Sequence, residues 1–242
     1  MKVAILSDIH GNLEALEAVL ADLKNQSPDQ IICLGDLVGY GPDPEAVVQV
    51  SIDQGFTAIL GNHEAALISK KDRDWMNFQT KENSIATEAL LSQPSLEHCV
   101  ALPRSVIVEN ARFVHGCPPD SVLKYLYLLT DNDISEIADE LSERLCFVGH
   151  THELVIVTAS RGQIVREPLK EGRHLLQEDR KYLINAGSVG QPRDMNRKAK
   201  YVLWDSSSGI LEVRALAYPS HITADKILAR GFPKAYAIRI NN

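Results

Sequence analysis

The chain has 242 residues, 45% of them apolar and 24% charged, with a formal net charge of −7. That balance is the one expected of a soluble globular α/β protein, not of a disordered chain or a collagen-like chain. No apolar run approaches the ~20 residues of a membrane helix, and the acidic balance argues against an extensive nucleic-acid surface. The first residues lack a basic stretch followed by an apolar one. The four cysteines (Cys33, Cys99, Cys117, Cys146) form no Cys-x-x-Cys pair, Cys33 and Cys146 lie inside apolar runs and read as core thiols, and the expectation is a cytoplasmic protein.

In chain order, KVAILSD (2–8) predicts a buried strand. NLEALEAVLADLK (12–24) carries a helical stripe of Leu13, Leu16, Val19, Leu20 and Leu23, with Asn12 as its N-cap. QIICLGD (30–36) is a second strand. PDPEAVVQVSIDQ (42–54) is a second helix with proline near its start, and TAILGN (57–62) a third strand. This alternation predicts a parallel sheet covered by helices. Residues 66–103 contain helical segments and no convincing strand, which predicts a helical excursion over the sheet edge. SVIVEN and ARFVHG then read as adjacent strands, 131–142 as a helix, and RLCFVGH as another strand. LVIVTASRGQIVREPL predicts a hairpin turning at 160–162. KYLINAG follows, then KYVLWDSSSGILEVRAL, a hairpin turning at 206–209, and a short helix near 222–230. No linker or repeat interrupts the chain, so one domain over 1–242 is the expectation, built from two packed sheets with outer helices.

The apolar runs share an ending. They stop at Asp8 and His10, at Asp36, at Asn62 and His63, at His115, and at His150 and His152. Five of the eight histidines stand at these ends. Parallel α/β sheets bind ligands at the carboxyl ends of their strands, so one architecture would gather all these groups at one rim. In an extended chain residues i and i+2 face the same way, which aims Asp8 with His10, and His150 with His152, at common points. Carboxylate, amide and imidazole donors suit Mn²⁺, Fe²⁺, Zn²⁺, Co²⁺ or Ni²⁺, and the lack of thiolates speaks against a structural zinc site. Seven donors exceed what one ion with an open position needs. They suit two ions ~3.5–4 Å apart sharing a carboxylate, an arrangement that activates water and grips phosphate oxygens.

Asp8-x-His10, Gly35-Asp36, Gly61-Asn62-His63-Glu64, His115-Gly116 and Gly149-His150-Thr151-His152 resemble the signature of the calcineurin-like metallophosphoesterases. NAGSVGQPRD (185–194) resembles a segment of their small prokaryotic phosphodiesterase branch. The resemblance implies a four-layer α/β/β/α sandwich of two mixed sheets flanked by helices. It further implies that Asp8, His10, Asp36 and His152 hold one ion, and that Asp36, Asn62, His115 and His150 hold the other, with Asp36 bridging. His63 is the matching catalytic histidine, assisting the leaving group after attack by a metal-bound hydroxide. Mn²⁺ heads the list of implied metals.

Where the protein-phosphatase branch has an Asp-Arg pair, this chain reads GDLVGYG, with Gly39 and Tyr40. The carboxylate that would orient His63 is therefore missing, and Asp43 is the nearest substitute by position. Tyr40 and Arg193 are the candidate substrate contacts. Their structural alternatives are packing against the next helix for Tyr40 and an ion pair with Asp194 or another acid for Arg193. The expected activity is hydrolysis of phosphodiesters or nucleotide-type esters. Alternatives are a phosphomonoesterase, a dinucleoside polyphosphate hydrolase, or a non-catalytic interaction scaffold. The expected partner is a small phosphate ester, and a homo-oligomer is left open.

Overall fold

The computed structural model describes residues 1–194 and 196–241. Two six-stranded mixed sheets are built from β1 (Lys2–Leu6), β2 (Gln30–Cys33), β3 (Thr57–Ala58), β4 (Ser105–Val108), β5 (Ala111–Val114), β6 (Leu145–Val148), β7 (Leu154–Ser160), β8 (Gln163–Pro168), β9 (Gly172–Leu175), β10 (Lys181–Ala186), β11 (Ala199–Asp205) and β12 (Ile210–Leu216). One sheet runs β3-β2-β1-β11-β12-β9 and the other β4-β5-β6-β10-β7-β8. In the first, β1, β2 and β3 are parallel, with Ile5 opposite Ile32 and Cys33 opposite Ala58. In the second, β5, β6 and β10 are parallel. Each parallel triplet therefore delivers its following loops to one edge.

The uninterrupted apolar runs are explained by burial on both faces. Val3, Ile5, Ile32, Leu34, Val202 and Trp204 face Phe113, Phe147, Tyr182 and Ile184 of the other sheet, and form the inter-sheet core. The alternate residues Ala4 and Leu6 point outward, beneath α1 (Leu13–Gln26) and α2 (Pro44–Asp53), against Leu16, Val19, Val47 and Val48. On the opposite outer face Cys146, Val148 and Leu183 pack against Ile134 of α7 (Asp131–Glu140). The result is the four-layer α/β/β/α sandwich. The side chain of Asn12 accepts a hydrogen bond from Ala15 N at 3.1 Å and starts α1, and Pro44 opens α2.

Between β3 and β4 the chain forms α3 (Asn62–Ile68), α4 (Lys70–Asp74), α5 (Phe78–Glu88) and α6 (Gln93–Val100). It closes with α8 (Ser220–Ala229) and α9 (Lys234–Asn241). Two elements lie outside the sequence expectation. The edge strand β9 alternates half-buried and exposed residues and lacks an apolar run, so only its pairing with β12 reveals it. Helix α9 buries Tyr236, Ala237 and Ile240, a short stripe following a Gly-Phe-Pro turn. No helix among the described residues is long and apolar enough to cross a membrane.

Helix α1 is tied to the first sheet by Asp22, which accepts from Tyr201 Oη at 2.5 Å and bidentately from Arg214 at 2.6 and 2.9 Å. Burial pushes the Asp22 carboxyl up, but Arg214 and then Tyr201 outweigh it and hold it below its ordinary value. Such a carboxylate stabilises the fold fully above its unfolded pKa and loses that contribution as pH falls below it. Asp22→Asn is expected to cost about 1–3 kcal/mol at pH 7. The gap to wild type should narrow below about pH 4, as read by urea unfolding across pH.

Candidate dimetal site

Every expected donor follows the carboxyl end of a strand from one of the two parallel triplets. Asp8 and His10 follow β1, Asp36 follows β2, Asn62 and His63 follow β3, His115 follows β5, and His150 and His152 follow β6. All are buried except Asn62, which is half-buried. Ligand atoms of Asp8, His10, Asp36 and His152 lie within 4.8 Å of one another, and so do those of Asp36, His115 and His150. Asn62 joins the second group, its Oδ1 standing 3.1 Å from His115 Nε2.

Asp36 stands between the two clusters. Its Oδ2 is 3.6 Å from His10 Nε2 and 3.3 Å from His115 Nε2, and its Oδ1 accepts from His63 N at 2.9 Å. His152 Nε2 is 3.2 Å from Asp8 Oδ1.

The convergence does not arise as expected from extended i, i+2 geometry. Asp8, His10, Asp36, His150 and His152 all have φ between 52° and 67°, as does Tyr40 at 58°. The chain leaves β-structure before each donor and turns through left-handed residues. These cost non-glycine residues roughly 1–3 kcal/mol each and persist where surroundings over-determine them. Those surroundings are visible. Leu34 O, Val38 O and Gln191 O take Nδ1 of His115, His10 and His152 at 2.7, 2.9 and 2.6 Å, which aims each Nε2 into the site. His150 N donates to Asp8 Oδ2 at 3.1 Å, linking the loops of the two sheets. Asn185 Nδ2 donates to Gly149 O at 2.6 Å and to Thr151 Oγ1 at 2.8 Å.

Glu64, the last residue of the Gly61-Asn62-His63-Glu64 stretch, is the clamp of the Asp36 loop. Its carboxylate accepts from the backbone N–H groups of Asp36, Val38 and Gly61 at 2.8, 3.1 and 3.0 Å. Burial and then the Asp36 carboxylate push Glu64 up, to about 7, against three donors that favour its charged form. Its signal in the sequence was a helix-start Asn-His-Glu, indistinguishable there from an ordinary helix N-terminus.

The donor set carries the marks of a cation site. His10 Nε2 faces His152 Nε2 at 3.2 Å, and His115 Nε2 faces His150 Nδ1 at 3.2 Å. Asp8 Oδ1 and His150 Nε2 are buried without a hydrogen-bond partner among the described residues. Because Nδ1 of His10 and of His152 each face a carbonyl, the two neutral Nε2 atoms leave facing lone pairs that only a proton or an ion between them reconciles. The charges respond accordingly. Burial pushes His115 down, but Asp36 outweighs it and holds the ring up at about 9, while burial and the neighbouring His115 press His150 down to about 3. Burial pushes Asp8 up, and the imidazoles, led by His152, pull it well below the ordinary carboxylate value. Divalent ions therefore fit the residues present.

His63 lies beside this cluster with its ring 4.8 Å from that of His10 and 4.5 Å from that of Tyr40. Burial pushes it down to about 4. Its Nδ1 has no hydrogen-bond partner among the described residues, and Asp43 does not supply one. Asp43 instead pairs with Lys226 at 2.7 Å and Arg230 at 3.6 Å. The ring is placed by shape: a Cβ at Gly39, where φ is 87°, would fall 2.0 Å from His63 Nδ1. The Tyr40 ring lies edge-on to His10 at 4.6 Å and packs against Tyr236 at 5.0 Å, so the helix beside it is α9, from the far end of the chain, and not the next helix along the sequence. Arg193 is half-buried at the rim beside Tyr40 and Tyr125. The expected alternative, a pair with Asp194, is not formed. Asp194 pairs with Lys200 at 2.7 Å, and Arg193 has no carboxylate partner among the described residues.

Two packed mixed sheets with a buried Asp/His/Asn cluster at their shared strand ends define a metallophosphoesterase fold. Residues 1–209 match the calcineurin-like phosphoesterase superfamily domain, and the chain belongs to that superfamily. It is 35% identical over 238 residues to an uncharacterised protein of Methanocaldococcus jannaschii, covering 96% of this chain and 94% of that one. Among solved structures it resembles a metallophosphoesterase from Sphaerobacter thermophilus, at 28% identity and a TM-score of 0.86, covering 99% of this chain and 98% of that one. A hypothetical protein of Pyrococcus horikoshii OT3 shares the fold at 19% identity and a TM-score of 0.80, covering 99% and 97%.

Glu64→Gln is expected to set an amide N–H₂ against backbone donors and cost about 1–3 kcal/mol. Thermal unfolding with and without added Mn²⁺ measures that loss.

Proposed function

We propose that the protein hydrolyses phosphodiesters or nucleotide-type phosphate esters with two divalent transition-metal ions, Mn²⁺ foremost. Asp8, His10, Asp36 and His152 would hold one ion, and Asp36, Asn62, His115 and His150 would hold the other, Asp36 serving both. The observation that carries this reading is the Asp36 carboxylate between two buried donor clusters. Superfamily membership and the Sphaerobacter thermophilus metallophosphoesterase support it. Two such ions supply Lewis acidity toward phosphate oxygens and make water acidic enough to ionise near neutral pH.

The chain's own groups do the rest. The ester phosphate approaches from the rim, where the Arg193 guanidinium can form charge-assisted hydrogen bonds to its oxygens. Tyr40 walls the approach and confines His63. The His63 imidazole, held against Gly39, donates to the leaving oxygen or to charge developing in the transition state. Burial of the whole cluster keeps bulk water from screening these interactions. Positioning and charge neutralisation dominate phosphoryl chemistry, and both reside in rigid strand-end groups here.

His63→Ala should lower kcat by about 10²–10⁴ while metal stoichiometry stays at the wild-type value. Bis(p-nitrophenyl) phosphate should be hydrolysed faster than p-nitrophenyl phosphate in the presence of Mn²⁺, with Asp36→Asn as the inactive blank. Full activity of His63→Ala at full metal loading would contradict the role given to that ring, and a reversed preference would favour the monoesterase reading.

A further inference from the structure

The helices between β3 and β4 leave Trp75 two-thirds exposed, at 67% of its surface. It stands at the junction of α4 and α5, on the lip of a cavity of about 230 Å³. The floor of that cavity is Asn62 and His150, both in the second donor cluster. Its other walls include Tyr40, Tyr125 and Thr80. Whatever occupies it is therefore adjacent to the reacting phosphorus. Tyr125 is locked in place, stacked both on the His150 ring, with centroids 4.0 Å apart and planes 21° from parallel, and on Tyr127 at 5.0 Å and 25°.

Resting on the phosphoesterase reading, we propose that this cavity is a nucleobase subsite, in which a base carried by the ester substrate stacks on the exposed face of Trp75, beside Tyr125. Flat aromatic walls suit a planar π-system, and stacking on them tolerates any base. The polar groups among those walls favour a base over an alkyl chain. Asn77 uses its Oδ1 to accept from Thr80 N and Oγ1 at 3.0 and 3.1 Å, which leaves its amide N–H₂ for the polar edge of a base. An alkyl chain would leave such groups desolvated and unpaired. A neighbouring cavity of about 350 Å³ shares Tyr40, Asn77, Thr80 and Tyr125 with the first, and adds Arg193 and Arg239. The cleft is thus aromatic on one side and cationic on the other, matching a nucleotide. Arg239 lies on α9, beyond the matched 1–209 segment, while Arg193 lies within it, so the C-terminal helices complete the cationic half of the cleft.

The chain contains two tryptophans, and Trp204 is buried between the sheets, so ligand contact at the lip is read from Trp75 fluorescence. Adenosine 5′-monophosphate should quench that emission saturably, with an apparent Kd at least tenfold below that of ribose 5-phosphate, which carries the phosphate without the base. In Trp75→Leu the response to adenosine 5′-monophosphate should vanish, while Trp204 emission confirms the fold. The same variant should lose about tenfold in its preference for the p-nitrophenyl ester of thymidine 5′-phosphate over methyl p-nitrophenyl phosphate, through KM and not kcat. Equal quenching by the two phosphates, tighter binding of octyl phosphate, or an unchanged preference in Trp75→Leu would overturn the proposal. Base-dependent quenching in a protein that hydrolyses neither ester would uphold the subsite and remove the phosphoesterase reading instead.

Discussion

The structure depends on keeping two carboxylates and four imidazoles together out of water. Asp8, Asp36, His10, His115, His150 and His152 are nearly or fully inaccessible, and their donor atoms face one another at 3.2 to 3.7 Å. Without compensating positive charge such a cluster is costly in a low-dielectric interior. The compensation is divided. The His115 imidazole, held up by Asp36, offsets part of the carboxylate charge in the ion-free chain, and divalent cations would do so more completely. Much of the surrounding structure holds this arrangement ready. Backbone carbonyls fix the imidazoles, Glu64 fixes the backbone of the Asp36 loop, and Gly61 leaves room for the Asp36 carboxylate, since a Cβ there would fall 2.1 Å from Oδ1.

That preparation also explains why the site lies between the sheets' edges and not within either one. β1 and β2 present Asp8 and Asp36 from one sheet, while β5 and β6 present His115 and His150 from the other. The hydrogen bond from His150 N to Asp8 crosses the gap, as does that from His115 to Leu34 O. Inter-sheet packing of Ile5, Leu34, Phe113 and Phe147 thereby becomes part of the site, because it sets the separation at which the donors meet.

Much of this was legible in the residues. Apolar runs buried on both faces announce parallel strands, and polar groups at their carboxyl ends announce a rim. What the pattern could not carry was conformation. Nothing in Asp8-Ile9-His10 says that both polar residues turn left-handed, since only the completed neighbourhood selects that state over the extended one. Asp43 looked close to His63 along the chain, but a lysine and an arginine from α8 and its C-terminus, 183 and 187 positions later, claim it (226 − 43 and 230 − 43). Glu64 and Asn185 read as ordinary polar residues until their backbone partners are seen. Tyr40 gained its aromatic neighbour only through α9, which had no strong sequence signature.

The helices of 62–100 and 220–241 flank the rim at which the donor residues gather. The most direct test of the central claim is anomalous diffraction from crystals grown with Mn²⁺. The account predicts two peaks flanking the Asp36 carboxylate, one against Asp8, His10 and His152 and the other against Asn62, His115 and His150. A single ion that avoids Asp36, or full occupancy of both positions in Asp36→Asn, would contradict it.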